Sequence, residues 1–258
     1  MIRYDCHAHV YDHVTPVPSA RYAPARPAPL DRWLALQSDH GIRGGVIVQV
    51  SFLGTDNGQL LGALSSLDRT RFAGVAVAPL DVTETELRRL SDGGVRGLRW
   101  NLVSGAAPPD PDDPVTRALF ARLAAWGLHL EVQLESPRWA DYLPALVRAA
   151  APAKLPVVVD HMGLPALARA EDEPWLNALQ GCDGRDLIFV KLSAPYRGRA
   201  GGAHLDRLTG LLPPDRLIWG SDWPHTRHEA VATYAGDLER LSPLIDDAAA
   251  ARRLYGLG

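Results

Sequence analysis

Residues 155–161 read Leu-Pro-Val-Val-Val-Asp-His, an apolar run that ends abruptly in two polar residues. A near-continuous run of valines is typical of a parallel strand that is covered on both faces. In parallel α/β proteins the functional residues lie where the strands end and the following loops begin. This stretch therefore predicts a buried parallel strand that carries polar chemistry at its carboxyl end.

Seven further segments repeat this pattern and complete a set of eight predicted strands. The eight are Ile2–Val10, Gly45–Ser51, Phe72–Pro79, Val95–Leu102, Leu128–Leu134, Leu155–His161, Leu187–Ser193 and Leu217–Asp222. Helical segments separate them, with a capping box from Thr83 to Glu86. Asp31, Asp113 and Ser136 are predicted as further helix caps, the last two directly before proline. Eight such units without a GxGxxG turn predict an α/β fold, a single-domain (β/α)8 TIM barrel that spans residues 1–258.

Composition excludes several classes of partner. The formal net charge is -3 without a basic cluster, so nucleic acid is not expected as a partner. No apolar run approaches the roughly 20 residues that span a membrane, and the polar N-terminus does not resemble a signal peptide. A cytoplasmic protein with two free thiols, Cys6 and Cys182, is therefore expected, and a homo-oligomer is left open.

A proline-rich loop at residues 11–30 follows the first predicted strand. It contains five prolines, which is unusual for a connection that only joins a strand to a helix. Long loops on the active face of a barrel often cover the site. We therefore expect this segment to form a lid or a wall of the pocket.

Four polar residues at strand ends are the candidate catalytic set. His7 and His9 are two apart on the first strand and so share a face, whereas Cys6 is expected to face away. His161 ends the sixth strand and Asp222 the eighth, so all four should meet at the barrel mouth. Lys191 lies inside the buried seventh strand and leaves a Schiff-base mechanism open as a less favoured alternative.

Several short motifs resemble the amidohydrolase superfamily. They are Asp5-Cys6-His7-Ala8-His9, Asp160-His161-Met162-Gly163, Gly220-Ser221-Asp222-Trp223-Pro224 and Pro195-Tyr196-Arg197. Their order along the chain most resembles the branch that contains the 2-pyrone-4,6-dicarboxylate lactonases. The resemblance implies hydrolysis of a small carboxylated lactone or cyclic ester, in the degradation of aromatic compounds. It further implies that Asp222 is the general base and that the three histidines polarise the carbonyl group.

The resemblance also bears on the metal requirement. Metal-binding branches of the superfamily carry a histidine on strand five, where this chain has Gln133, and strand four offers Arg99 in place of a lysine. We therefore expect that no metal is required. The alternative is a single divalent cation such as Zn²⁺, held by His7, His9, His161 and Asp222. A metal-dependent decarboxylase of the same superfamily is the alternative function.

Arginines indicate the charge of the substrate, a small anionic lactone. Arg99 and Arg197 match arginines that the lactonases are expected to use for carboxylates, whereas Leu164 and Ser104-Gly105 replace basic residues. The further candidate substrate-binding residues are Ser51, Asn101, Tyr196 and Arg227. The losses favour a substrate with one carboxylate, unless Arg227 or the loop residues Arg21 and Arg26 compensate.

Overall fold

Eight parallel strands form one sheet, in the order in which they follow one another along the chain. The computed structural model describes residues 2–236 and 238–258. The strands are β1 (Tyr4–Ala8), β2 (Gly44–Val48), β3 (Phe72–Ala76), β4 (Val95–Asn101), β5 (His129–Gln133), β6 (Val157–Val159), β7 (Ile188–Ser193) and β8 (Leu217–Gly220). The first and last strands meet through a bridge between Ala8 and Trp223, and Asp222 N–H donates to the carbonyl of His7 at 2.8 Å. The predicted (β/α)8 barrel is confirmed.

Helices alternate with the strands around the barrel. They are α1 (Leu30–Asp39), α2 (Gly58–Ser65), α3 (Glu84–Asp92), α4 (Pro114–Ala125), α5 (Ser136–Ala150), α6 (Pro174–Gln180), α7 (Gly202–Leu211), α8 (Leu238–Leu241) and α9 (Asp247–Tyr255). Within residues 2–236 and 238–258, none of these helices has the length and apolar character needed to cross a membrane.

Two of the four predicted helix caps are confirmed. The side chain of Thr83 accepts from the Glu86 N–H, and that of Asp113 accepts from the Val115 N–H. Asp31 was a wrong prediction, because α1 already begins at Leu30 and Asp31 lies in its first turn. Ser136 is also the first residue of its helix, and its hydroxyl is engaged by the buried carboxylate of Glu173.

Seven of the eight strands end earlier than the sequence predicted, at the carboxyl end where the polar residues lie, whereas β7 ends at Ser193 as predicted. β6 stops at Val159, because His161 and Met162 adopt left-handed backbone angles with φ of 51° and 53°. Asp222 also has a positive φ, 58°, just after β8. Such angles are uncommon for residues with a side chain and are often found at functional sites. They turn the chain sharply at the barrel mouth.

Strand β1 contains a bulge that changes which side chains face the barrel interior. Asp5 pairs with Gly45 and Ala8 with Ile47, so three steps on β1 match two on β2. The extra residue breaks the alternation of faces. Cys6 consequently packs inside the barrel with Phe189 of β7, in contrast to the expectation that it faces away. Burial raises the pKa of its thiol, which fits an inert core residue.

The C-terminal helix α9 closes the bottom of the barrel. Its Leu254 and Tyr255 belong to the same apolar cluster as Tyr4 and Val46 on the first two strands. The Tyr255 hydroxyl reaches upward and donates to Glu131 of β5 at 2.8 Å. The barrel is thus packed from below, and its polar residues are concentrated above this apolar layer.

Candidate active site

The four residues predicted as the catalytic set meet at the barrel mouth. The Nε2 atoms of His7, His9 and His161 each lie 3.8 Å from Oδ1 of Asp222. All four side chains are buried. Oδ1 of Asp222 and Nε2 of His7 have no hydrogen-bond partner among the described residues. Unpaired buried polar atoms destabilise a folded protein. This arrangement therefore indicates a site that binds a reacting molecule.

The second oxygen of Asp222 is fixed by two donors. Oδ2 accepts from Nε of Arg197 and from the hydroxyl of Tyr196, both at 2.7 Å. These two residues follow β7, and the Arg197 side chain is 21% exposed. The contacts orient the carboxylate so that its free oxygen points toward the three imidazoles.

Asp5 fixes the end of β8 from behind. Its carboxylate accepts from the Ser221 N–H at 2.9 Å, the Ser221 hydroxyl at 2.7 Å and the Trp33 indole N–H at 2.8 Å. Asp5 is itself fully buried. These bonds hold the residue that precedes Asp222 and so support its left-handed backbone. Asp5 lies in one of the motifs that resemble the superfamily, but the sequence predicts no role for it.

Two of the histidines are oriented by single hydrogen bonds through Nδ1. Nδ1 of His9 lies 2.8 Å from the carbonyl oxygen of Val48, which can only accept, so Nδ1 carries the proton. Nδ1 of His161 lies 2.8 Å from the hydroxyl of Ser193. Both rings therefore present Nε2 to the site, and in His9 this atom has a free lone pair.

Burial keeps the imidazoles neutral while neighbouring charge keeps Asp222 ionised. Burial of the rings away from water lowers the pKa of His9 and His161 to about 4, although the negative charge of Asp222 acts to raise it. Burial alone would raise the pKa of Asp222, but the Arg197 guanidinium and the imidazoles outweigh it and hold this pKa well below the usual range. At neutral pH the site thus contains one carboxylate and neutral rings.

The pH dependence of activity should follow these two imidazoles. We expect kcat/KM to be flat across neutral pH and to decline as the pH falls through about 4, where His9 and His161 gain protons. Their positive charges would pair with Asp222 and weaken it as a base. A pH–rate profile measures this, and a decline centred on the ordinary imidazole pKa of 6.5 would contradict it.

The same shifts should affect stability. Unfolded His9 and His161 bind protons near their ordinary pKa of 6.5, whereas the folded chain binds them only near 4. Between these values the unfolded state therefore holds more protons. Their contribution to the free energy of unfolding is complete above 6.5 and decreases as the pH falls toward 4.

A buried ionic cluster, formed by Arg99, Glu131, Asp160 and Lys191, lies beneath the histidines. Nζ of Lys191 is 2.6 Å from Oε2 of Glu131, and Nε of Arg99 is 2.7 Å from Oδ2 of Asp160. The exposed fraction of each side chain is at most 3%. Lys191 is thus paired below the mouth, which argues against the Schiff-base alternative because that mechanism needs an accessible amine.

A pocket of about 130 Å³ opens above the catalytic set. Five of the six predicted substrate-binding residues line it, namely Ser51, Arg99, Asn101, Arg197 and Arg227. The sixth, Tyr196, instead bonds to Asp222 beside the pocket. Gln133 also lines the pocket, and its side-chain oxygen accepts from Arg99 at 2.5 Å. The sequence thus located the walls of this pocket, although Arg99 is already paired with Asp160.

The proline-rich loop at residues 11–30 supplies part of the pocket wall, as expected. Arg21 and Tyr22 line the pocket. Nη2 of Arg21 donates to Oδ1 of Asn101 at 3.0 Å, and its Nη1 donates to the Val103 carbonyl. Of the two arginines in this loop, Arg21 reaches the pocket, whereas Arg26 is exposed and does not line the pocket.

The catalytic set also has the composition of a single-cation site. Donor atoms of His7, His161 and Asp222 lie within 4.8 Å of one another, and His9 adds a fourth nitrogen 3.8 Å from Asp222. Three imidazoles and one carboxylate suit one tetrahedral Zn²⁺. The unpartnered Nε2 of His7 and Oδ1 of Asp222 are compatible with such an ion. On β5 the residue that lines the pocket is Gln133, whose side-chain oxygen accepts from Arg99, whereas the histidine of this strand, His129, is bonded to Glu131 at 3.1 Å.

The fold and the site define a (β/α)8-barrel protein with three histidines and one aspartate at its mouth. The amidohydrolase family model matches residues 4–257. A 4-sulfomuconolactone hydrolase of Rhizobium radiobacter is 30% identical over 98% of this chain and 90% of that protein. A 2-pyrone-4,6-dicarboxylate hydrolase of Comamonas testosteroni is 29% identical over 86% of this chain and 76% of that protein.

Among solved structures, the fold is similar to that of a probable 2-pyrone-4,6-dicarboxylic acid hydrolase from Acinetobacter baumannii with bound citric acid. The TM-score is 0.82 and the sequence identity 28%, with 100% of both chains covered. This chain belongs to the amidohydrolase family. It is a hydrolase of that family, as the sequence motifs predicted.

Proposed function

We propose that this protein hydrolyses a small anionic lactone, with Asp222 as the general base. The observation that carries this proposal is the unpartnered Oδ1 of Asp222, which faces three imidazole Nε2 atoms at 3.8 Å. Among the described residues, Oδ1 accepts from no neighbouring donor, whereas Oδ2 of the same carboxylate accepts from Tyr196 and Arg197. The names of the relatives, lactone hydrolases, support the substrate class.

In the proposed reaction a water molecule lies beside Oδ1 of Asp222, which takes one of its protons. The resulting hydroxide attacks the lactone carbonyl carbon, and imidazoles that carry a proton on Nε2 stabilise the negative charge on the carbonyl oxygen. His9, whose proton lies on Nδ1, lies beside the site without donating to that oxygen. The ring C–O bond then breaks, and the proton passes from Asp222 to the leaving oxygen. The product is an open-chain acid that retains every atom of the lactone and the water.

Arg197 links substrate binding to the basicity of Asp222. In the structure its guanidinium is paired with Oδ2 of Asp222 and holds the pKa of that carboxyl low, which makes it a weak base. An anionic group on the substrate would compete for Arg197, since arginine pairs readily with carboxylates. Weakening the Arg197–Asp222 pair would raise the pKa of Asp222 and make it a stronger base when substrate is bound.

Two further arginines of the pocket bear on the charge of the substrate. The expectation of a single carboxylate rested on two lost arginines, but Arg21 and Arg227 both line the pocket. We therefore propose a lactone with at least one anionic group. A panel of neutral, monoanionic and dianionic lactones tests this: each charge-assisted hydrogen bond contributes about 1.5–3 kcal/mol. Neutral lactones should thus have a kcat/KM at least tenfold lower, and equal turnover of neutral lactones would contradict the proposal.

We further propose that no metal is required. His7, His9, His161 and Asp222 are the residues that would hold a single divalent cation, which would polarise the carbonyl when bound. In the proposed reaction, however, hydrogen bonds from side chains of the protein stabilise the charge on the carbonyl oxygen without a cation. Chelator treatment followed by dialysis should leave kcat unchanged. Loss of activity, with recovery on addition of Zn²⁺, would overturn this part and favour the cation alternative.

The setting of the reaction is a proposal as well. We infer a cytoplasmic enzyme that degrades aromatic compounds, supported by the pyrone dicarboxylate named for one relative. The lactone names of the relatives favour ring opening over the decarboxylation that the sequence left open.

A further inference from the structure

Lys191 lies directly beneath the catalytic set, with its ammonium group among three polar atoms. Nζ is 2.6 Å from Oε2 of Glu131, 3.1 Å from Nδ1 of His7 and 3.5 Å from Oδ1 of Asp160. The side chain is fully buried. The donor atoms of His7, Glu131 and Asp160 form one of the two groups, among the described residues, with a geometry suited to a cation. The lysine ammonium occupies this position.

The position of this ammonium determines where the proton of His7 lies. An ammonium group has three donors and no acceptor, so Nδ1 of His7, at 3.1 Å, accepts from Lys191. Oδ1 of Asp160 lies 3.6 Å from the same Nδ1, which is beyond normal hydrogen-bond distance. A neutral imidazole that accepts at Nδ1 carries its proton on Nε2. That Nε2–H faces Oδ1 of Asp222 across 3.8 Å.

We propose that Lys191 is a positioning residue that holds His7 as its Nε2–H tautomer. His7 is then a hydrogen-bond donor toward the reacting molecule, whereas the Nε2 atom of His9 has a lone pair. The donor role in stabilising the carbonyl oxygen rests on the proposed lactone hydrolysis, but the tautomer does not.

The tautomer can be read directly by nitrogen NMR of protein labelled with ¹⁵N-histidine, with His7 assigned by comparison with the His7→Gln variant. In the wild-type protein, Nε2 of His7 should give a pyrrole-type signal and Nδ1 a pyridine-type signal. In Lys191→Met, Asp160 becomes the nearest polar neighbour of Nδ1, and the two signals should exchange. A wild-type spectrum with the proton on Nδ1 would overturn the proposal.

The matched control is Glu131→Gln, which disrupts the same buried cluster but keeps the Lys191 donor. Its His7 signals should remain as in the wild-type protein, and exchange in this variant would contradict a specific role for Lys191. If Lys191→Met does not fold, the double variant Lys191→Met/Glu131→Gln removes the pair without leaving Glu131 charged. Unchanged His7 signals in a folded variant that lacks Lys191 would also overturn the proposal.

Kinetics separate this proposal from the proposed function. Removing one donor to a developing oxyanion lowers kcat roughly 10²–10³-fold, so Lys191→Met should lower kcat to that extent with a smaller change in KM. If the wild-type protein shows the Nε2–H tautomer but opens no lactone, the proposed function fails and the role of Lys191 stands. A kcat within about threefold of wild type in folded Lys191→Met would contradict the donor role of His7, on the scale just given.

Discussion

Asp222→Asn is expected to lower kcat for lactone opening about 10²–10⁴-fold, the range associated with positioned proton transfer. The amide has nearly the same shape as the carboxylate, but it cannot take a proton from water. Asparagine also tolerates the left-handed backbone that residue 222 adopts, with φ of 58°. The variant should therefore remain folded, and steady-state kinetics on an anionic lactone would measure the loss.

Asp12→Asn is a suitable control for this variant. Asp12 is an exposed carboxylate of the proline-rich loop, and its side chain takes no part in the set around Asp222. This substitution changes the net charge by the same amount and should leave kcat within about twofold, since surface changes away from a site have small effects. A kcat of Asp222→Asn close to wild type would exclude Asp222 as the general base.

Asp160→Ala is expected to lower the free energy of unfolding by about 3–5 kcal/mol, the cost of breaking a buried ion pair from one side. Asp160 is completely buried and accepts from Arg99 at 2.7 Å, with Lys191 at 3.5 Å. These two cations hold the pKa of its carboxyl low against the effect of burial. Alanine would leave Arg99 without its carboxylate partner in the barrel interior.

Urea unfolding followed by circular dichroism measures this loss, and Glu171→Ala serves as the control. Glu171 pairs with Arg169 at 2.7 Å, but both side chains are more than 60% exposed. Exposed pairs are weakened by solvent and contribute little, so the control should change stability only slightly. Equal effects of the two variants would show that burial does not determine the strength of the Asp160 pair.

Much of the fold and the site could be predicted because the signals are local. The valine run at residues 157–159 defines a strand covered on both faces, and the structure places β6 there. His7, His9, His161 and Asp222 each lie at a strand end, and barrel geometry brings all strand ends to one mouth. Their meeting around Oδ1 of Asp222 thus follows from the order of polar residues along the chain.

The pairing of charges inside the barrel could not be predicted in this way. Arg99 and Lys191 stand out in the sequence because charged residues are unusual in buried strands. However, their partners, Asp160 and Glu131, lie 61 and 60 positions away in the sequence. Which carboxylate meets which cation depends on the distances between strands across the barrel. This is also why Arg99 was predicted only as a substrate-binding residue.

Alternation failed where the backbone is irregular. Cys6 and His7 both contribute to the interior, because the β1 bulge inserts one residue against β2. A bulge leaves no clear trace in the pattern of apolar residues. The early end of β6 is similar, since nothing in Asp160-His161-Met162 predicts the left-handed angles that turn His161 into the mouth.

By itself, the valine run with its terminal Asp160-His161, repeated in eight units, determined the barrel and which polar residues meet at its mouth. Both follow from the periodicity of the apolar residues and the order of the polar residues along the chain, which can be read from a sequence. The tertiary structure decided the state of each group: the free oxygen of Asp222, the paired Arg99, and the lysine beneath His7. Ionisation, tautomer and pairing depend on distances of a few ångströms between residues far apart in the chain, and only the folded barrel sets those distances.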